Sequence, residues 1–152
     1  MNEQDNFTNF FRFEELRIYA KAMDYIEWLY HHLDVNAMDS NNNFCINRFK
    51  DAFLKSANSI AIQMAEGSSR NKAQFLYYLK LAKSAVRECV FYTDMALRLQ
   101  LMDEESRNYS RTQLIELTKM VGSLIVSLQR SMVGAAKPEK KETEDLEFPE
   151  FD

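Results

Sequence analysis

Proline is missing from the first 137 residues of this 152-residue chain; Pro138 and Pro149 both stand near its end. Glycine occurs only at 67, 122 and 134. A sheet-rich domain of this size needs many tight turns, and such turns draw heavily on both residues. Their scarcity argues against that class and predicts a few connections between long helices. Cysteine is scarce as well. Cys45 and Cys89 cannot build a disulfide framework or a four-cysteine zinc site. No apolar run approaches the roughly 20 residues of a membrane span. The opening segment, MNEQDNFTNFFRFEE, lacks the apolar stretch of a secretion signal. We therefore expect a cytoplasmic chain with reduced thiols and no membrane partner.

What is present is apolar residues, at 46%, enough to bury a core in a single domain, and an uneven charge. Residues 1–45 carry 3 Lys/Arg against 8 Asp/Glu, residues 46–136 carry 13 against 8, and residues 137–152 carry 3 against 7. A basic middle is flanked by acidic ends.

Helical periodicity runs through the middle. Residues 1–12 are polar and expected to be flexible. Leu16, Tyr19, Met23, Ile26, Tyr30 and Leu33 then form a 3–4 stripe that predicts a first helix over 13–33. The Asn/Asp/Ser-rich stretch 34–43 is a loop by composition. A second helix is expected over 46–66, with Phe49, Phe53, Ala57 (or Ser56), Ile60 and Met64 inward. Its many small residues would let a neighbour approach closely, and Gly67 would end it as a left-handed cap. A third helix, 72–101, is capped by Ser68, Ser69 or Asn71, the last with Gln74 loosely fitting a capping box. Its stripe is Phe75, Leu79, Ala82, Val86, Cys89, Thr93 and Ala96. A fourth helix, 104–133, starts at Asp103 and points Leu114, Leu117, Val121, Leu124, Leu128 and Met132 inward. Gly122 within it suggests either close packing or simple tolerance. Gly134 ends it, and 135–152 reads as a disordered acidic tail. Short links between long helices predict an all-α antiparallel up-and-down four-helix bundle over 13–134.

Phe13–Glu14–Glu15–Leu16 with Ile18–Tyr19 and Ala22, then Ser59–Ile60, Ala65–Glu66–Gly67, Ser69–Arg70, Phe75 and Leu79, and finally Ala82, Ser84 and Glu88, carry a likeness. Over residues 13–132 the chain resembles the 23S rRNA intervening-sequence proteins, often called four-helix bundle proteins. It departs from them at Ala61, where the family has Pro, at Gln63, where it has Asn, and at Lys55–Ser56, where it has an arginine pair. The resemblance implies antiparallel bundles assembled into a homopentameric ring. It also implies kinship with the accessory variability determinants of diversity-generating retroelements, which associate with a reverse transcriptase and with nucleic acid.

Three groups of residues are candidates for function. The helix-junction motif Ala65, Glu66, Gly67 and Arg70 either presents an acid and a base to a partner or simply stops a helix. Lys72, Lys80, Lys83 and Arg87 fall within an arc of about 80° on the third helix, and Lys55 and Arg70 could extend it. Such a stripe either binds the phosphates of RNA or DNA or is an ordinary solvated flank. Leu76, Tyr77, Phe91 and Tyr92 exceed what one inward stripe can bury. They mark either a subunit contact or an aromatic-rich monomer surface.

Catalytic chemistry finds little support. Neighbouring His31 and His32 point about 100° apart on a helix and make a poor metal pair. Cys89 sits on the core stripe, and nothing near Cys45 in sequence suggests a nucleophile. Glu14, Glu15, Asp24 and Glu27 lack the Glu-x-x-His partners of a di-iron bundle, and no Gly-rich phosphate loop is present. The expectation is a non-enzymatic homo-oligomeric scaffold, without metal or cofactor, whose partners are itself and RNA, DNA or a nucleic-acid enzyme. The alternative is a purely protein–protein adaptor, with Phe148–Pro149–Glu150–Phe151–Asp152 as a docking peptide.

Overall fold

The computed structural model describes residues 11–35 and 43–135. The flexible start and disordered tail expected at 1–12 and 135–152 lie almost wholly outside them. Among the described residues there is no strand. A 3-10 turn, Arg12–Glu15, leads into four helices: α1 (Arg17–Val35), α2 (Phe44–Ser68), α3 (Lys72–Arg98) and α4 (Glu104–Ala135). No helix among them is long and apolar enough to cross a membrane.

The helix starts follow from capping. Asn43, Asn71 and Asp103 each place a side-chain oxygen on the backbone N–H three residues ahead, at 3.2, 2.9 and 2.8 Å. Each satisfies a donor that the first turn would otherwise leave open. The first helix does not begin at 13 as expected. Leu16 is extended (φ −69°, ψ 119°) and separates the 3-10 turn from α1. The third helix stops at Arg98, three residues early, because Gln100 turns left-handed (φ 58°). There Leu101 N–H reaches Ala96 O at 2.9 Å and Gln100 N–H reaches Leu97 O at 3.0 Å. This pair of bonds is the Schellman closure, formed here without glycine.

The stripe of α3 is as its spacing predicts, with Leu79, Ala82, Val86, Cys89, Thr93 and Ala96 buried and Phe75 half-buried. That of α1 is not. Ile18, Ala22, Tyr25, Ile26, Leu29 and Leu33 face the core, whereas Met23 and Tyr30 are 45% and 44% exposed. The helix has turned by about one residue relative to the expected face. Two features favour that rotation. Tyr25 Oη shares a 2.8 Å hydrogen bond with Ser110 Oγ, which shares another of 2.8 Å with Thr93 Oγ1. Tyr30 Oη instead accepts from Asn58 at the rim, at 2.8 Å. In α4 the core takes Ile125 along with Leu114, Leu117 and Val121, while Leu124, Leu128 and Met132 are only half-buried.

Small side chains govern the α2–α3 pairing. Ser56 and Gly67 are buried there, beside Glu88 and Tyr78, as a close helix approach requires. Gly67 is not a left-handed cap. It lies inside α2, and an ideal Cβ on it would sit 2.6 Å from Tyr78 Cβ and 2.8 Å from Phe75 Cδ2. Its role is to let α3 come this near. Around Gly122 a Cβ would meet nothing within 4 Å, so no helix among the described residues packs closely on it.

Candidate functional site

The helix-junction motif is built as a clasp. Past Gly67 the chain must reverse into α3, and the last carbonyls of α2 need donors. Ser68 Oγ donates to Ala65 O at 2.9 Å, Ser69 Oγ to Glu66 O at 3.0 Å, and Arg70 N–H to Gly67 O at 3.1 Å. The Arg70 guanidinium then lies 3.5 Å from the Glu66 carboxylate and 5.0 Å above the centre of the Tyr78 ring. Tyr78 is also the side chain whose Cβ presses on Gly67. Glu66, Gly67 and Arg70 therefore work together to fix α2 against α3. The Arg70 side chain remains 41% accessible. A cleft beside it is lined by Phe11, Arg12 and Phe13 from the entering chain.

The cations of α3 divide according to the helix they lie beside. Ser56 Oγ donates to Glu88 Oε2 at 2.7 Å, which marks the α2 edge of α3. Asp94 accepts from Arg107 Nε at 3.1 Å and Arg111 Nη1 at 2.9 Å, which marks the α4 edge. Lys72 Nζ donates to Ser131 Oγ on the same α4 edge. At about 100° per residue, Lys83, Asp94, Arg87, Lys80 and Arg98 follow within about 80° of Lys72. The basic stripe thus runs along the α3–α4 flank. Lys80, Arg87 and Arg98 are exposed and Lys83 is half-buried. Arg107 and Arg111 join this flank from α4, and their pairing with Asp94 covers the acid nearest the stripe. Arg98, Arg107 and Arg111 escaped the sequence reading because an arc drawn on one helix says nothing of its neighbour. Lys55 is exposed on α2, away from this edge, and Arg70 is held at the clasp.

The four aromatic and aliphatic candidates separate into two pairs. Leu76 and Tyr92 pack against the core of their own chain. Tyr92 lies with its ring centre 5.5 Å from Phe53 and 5.6 Å from Phe49. Tyr77 and Phe91 stay 59% and 60% exposed. They stand about 40° apart on the outer side of α3, next to the basic stripe. Met23, Tyr30, Ile62, Tyr109, Ile115, Val126 and Val133 are exposed elsewhere. Several were hidden from sequence reading because apolar residues at helical spacing look alike whether they face in or out.

Burial keeps two ionisable groups of the interior neutral. Burial pushes the Cys89 thiol up, with the Glu88 charge adding to it, so the thiol stays protonated. Burial likewise raises Tyr25, with Cys89 adding and the Ser110 and Thr93 hydrogen bonds opposing. No group of three or more His, Cys, Asp or Glu able to hold a metal occurs among the described residues.

Four helices and no strand among the described residues define the class: an all-α, four-helix protein. Residues 14–123 match the family model described as 23S rRNA-intervening sequence protein, and the chain belongs to that family. A solved protein of unknown function from the S23 ribosomal protein family of Bacteroides thetaiotaomicron shares the fold. Its TM-score is 0.63 at 16% identity, over 71% of this chain and 97% of that one. No curated protein matches the chain.

Proposed function

We propose that this chain is a non-enzymatic helical scaffold that assembles with copies of itself and uses its α3–α4 flank to hold a polyanion. The polyanion is RNA or DNA, or a nucleic-acid enzyme takes its place. An antiparallel up-and-down bundle is the arrangement that best fits the pairings. Lys21, Tyr25 and Trp28 of α1 meet Glu116, Ser110 and Tyr109 of α4. Phe53, Ser56 and Gly67 of α2 meet Tyr92, Glu88 and Tyr78 of α3. Numbers rise on one helix as they fall on its neighbour. Self-association is supported by exposed Tyr77 and Phe91, since a subunit contact would remove two large apolar side chains from water; the number of copies, five, is what the family resemblance implies. Two free cysteines, Cys45 and Cys89, suit a reducing cytoplasmic compartment.

The observation that carries the polyanion reading is the α3–α4 flank. Lys72, Lys80, Lys83, Arg87 and Arg98 line the length of this flank, Arg107 and Arg111 join it from α4, and the one carboxylate within the α3 arc, Asp94, is already engaged by those two arginines. Repeated around an oligomer, weak phosphate contacts would add through multivalency. A salt titration against RNA and duplex DNA tests it. Each phosphate neutralised contributes about −0.9 to the slope of log K on log salt, so about four contacts predict a slope between −3 and −4. Changing Lys80, Arg87 and Arg98 together to Glu should abolish binding, while Lys55→Glu, on another side, should leave it nearly intact. Equal losses from both variants would show that bulk charge, not this flank, is responsible.

The adaptor reading is favoured by one feature, the adjacency of Tyr77 and Phe91 to the stripe. It wins if no nucleic acid binds at low salt while light scattering still gives a multiple of 17.9 kDa. A 17.9 kDa particle in dilute solution would remove self-assembly from either reading.

A further inference from the structure

The outer face of α4, turned away from the core, carries an open groove lined by Lys119, Gly122, Ser123, Val126, Ser127 and Arg130. Its floor is small and apolar, because Gly122 leaves a gap beside half-exposed Val126. A cation stands at each end. Glu116, one turn before Lys119, is held below the usual carboxylate range chiefly by a hydrogen bond from Lys21, with the Lys21, Lys119 and Arg17 charges adding to it. Ile115 and Val133 extend the apolar line along the same face, and both are exposed.

The sequence holds a segment of complementary chemistry. Residues 142–152 contain six acids (Glu142, Glu144, Asp145, Glu147, Glu150 and Asp152) and no Lys or Arg. Among them stand Leu146, Phe148 and Phe151. The segment follows α4 directly, and reach permits it to return. Val126 lies nine residues before Ala135, about 14 Å along the helix. The ten residues 136–145 can span up to roughly 33 Å. A tethered partner so close acts at high effective concentration.

We propose that residues 146–151 fold back and dock in this groove of their own chain, with Phe148 and Phe151 over Gly122 and Val126 and the flanking acids at Lys119 and Arg130. The occupant is thus the chain's own acidic tail, a choice made by charge, apolar spacing and reach together. The inference stands on the α4 groove alone and does not depend on nucleic-acid binding.

The test uses the full chain. Cys45→Ser removes the exposed thiol, Cys89 is fully buried and unreactive, and Asp152→Cys receives a nitroxide. The isotope-labelled, spin-labelled protein is co-refolded with a large excess of plain chain, and amide signals are compared before and after nitroxide reduction. Docking in cis predicts strong attenuation at Lys119–Arg130 despite the excess. High salt should relieve it, as should Lys119→Glu with Arg130→Glu, two exposed changes whose folding is verified by circular dichroism. Absence of attenuation on α4 overturns the proposal. So does attenuation that survives the double charge reversal, or that vanishes in the excess of plain chain and so assigns the tail to a neighbour's groove.

Discussion

Gly67 and Gly122 are both helical, and a residue's intrinsic preference treats them alike: Ala in place of either should add up to about 1 kcal/mol of stability. Their surroundings decide otherwise. A Cβ at position 67 would lie 2.6 Å from Tyr78 Cβ, an atom fixed to the backbone of α3 and unable to swing aside. Carbon atoms prefer about 3.5–4.0 Å, so α2 and α3 must part by roughly 1 Å, which forfeits a quarter to a half of each dispersion contact along that seam. Overpacking of this kind costs about 1–3 kcal/mol, and it would also loosen the seat of Arg70 over Tyr78. The net expectation for Gly67→Ala is a loss of about 1–2 kcal/mol, against a gain of about 0.5–1 for Gly122→Ala. For a domain of this size each kcal/mol moves Tm by roughly 3–5 °C. Thermal melts of both variants at one fixed protein concentration provide the comparison, since self-association would otherwise shift Tm. A Gly67→Ala protein as stable as the parent, or equal losses at both sites, would refute the close-approach argument.

Three other changes follow from single observations. Lys50 is only 8% exposed, and its Nζ has no hydrogen-bond partner among the described residues, so Lys50→Met should raise stability by about 1–2 kcal/mol in urea unfolding; a loss would reveal an unseen partner. Gln100 holds a left-handed conformation that costs a residue with a Cβ about 1 kcal/mol, so Gln100→Gly should raise the urea midpoint and Gln100→Val should lower it. His32 stacks on Trp28 with ring centres 5.1 Å apart, and burial lowers its pKa below the ordinary 6.5 even though Asp103 pulls the other way. On acidification the unfolded chain takes up this proton first, so the contribution of His32 is complete above pH 6.5 and is lost as pH falls through its lowered value. Urea midpoints at about pH 7.5 and 5.5 should differ, and His32→Phe should narrow the difference; an unchanged gap would assign it to other groups.

How much of this was legible in the sequence varied from helix to helix. On α3 the stripe from Phe75 to Ala96 keeps one helical spacing, and that spacing named the core face, although Leu76, Tyr77, Phe91 and Tyr92 left a second face open. On α1 two faces compete: Tyr19, Met23, Ile26 and Tyr30 recur at the same intervals as Ile18, Ala22, Tyr25 and Leu29. The choice between them is made by Ser110 and Thr93, which lie 85 and 68 positions beyond Tyr25, and no local pattern contains it. Gly67 was visible as a special residue, but its reason lay across the hairpin, in Tyr78. The candidate site was half visible for the same cause. Lys72, Lys80, Lys83 and Arg87 share one helix and could be grouped, whereas Arg107 and Arg111 join them only because Asp94 draws α4 alongside. Leu76 and Tyr92 looked like surplus because Phe49 and Phe53, which cover Tyr92, belong to another helix.

The chain of hydroxyls through Tyr25, Ser110 and Thr93 threads three helices at one level of the interior. Greasy side chains tolerate sliding, since one leucine replaces another a turn away. Hydroxyls do not. Moving α4 by a single turn, about 5.4 Å, would strand Tyr25 and Thr93 in a dry core, each at a penalty of about 1–3 kcal/mol. These three oxygens thus act as an index mark, selecting one vertical alignment from several that oil alone would accept.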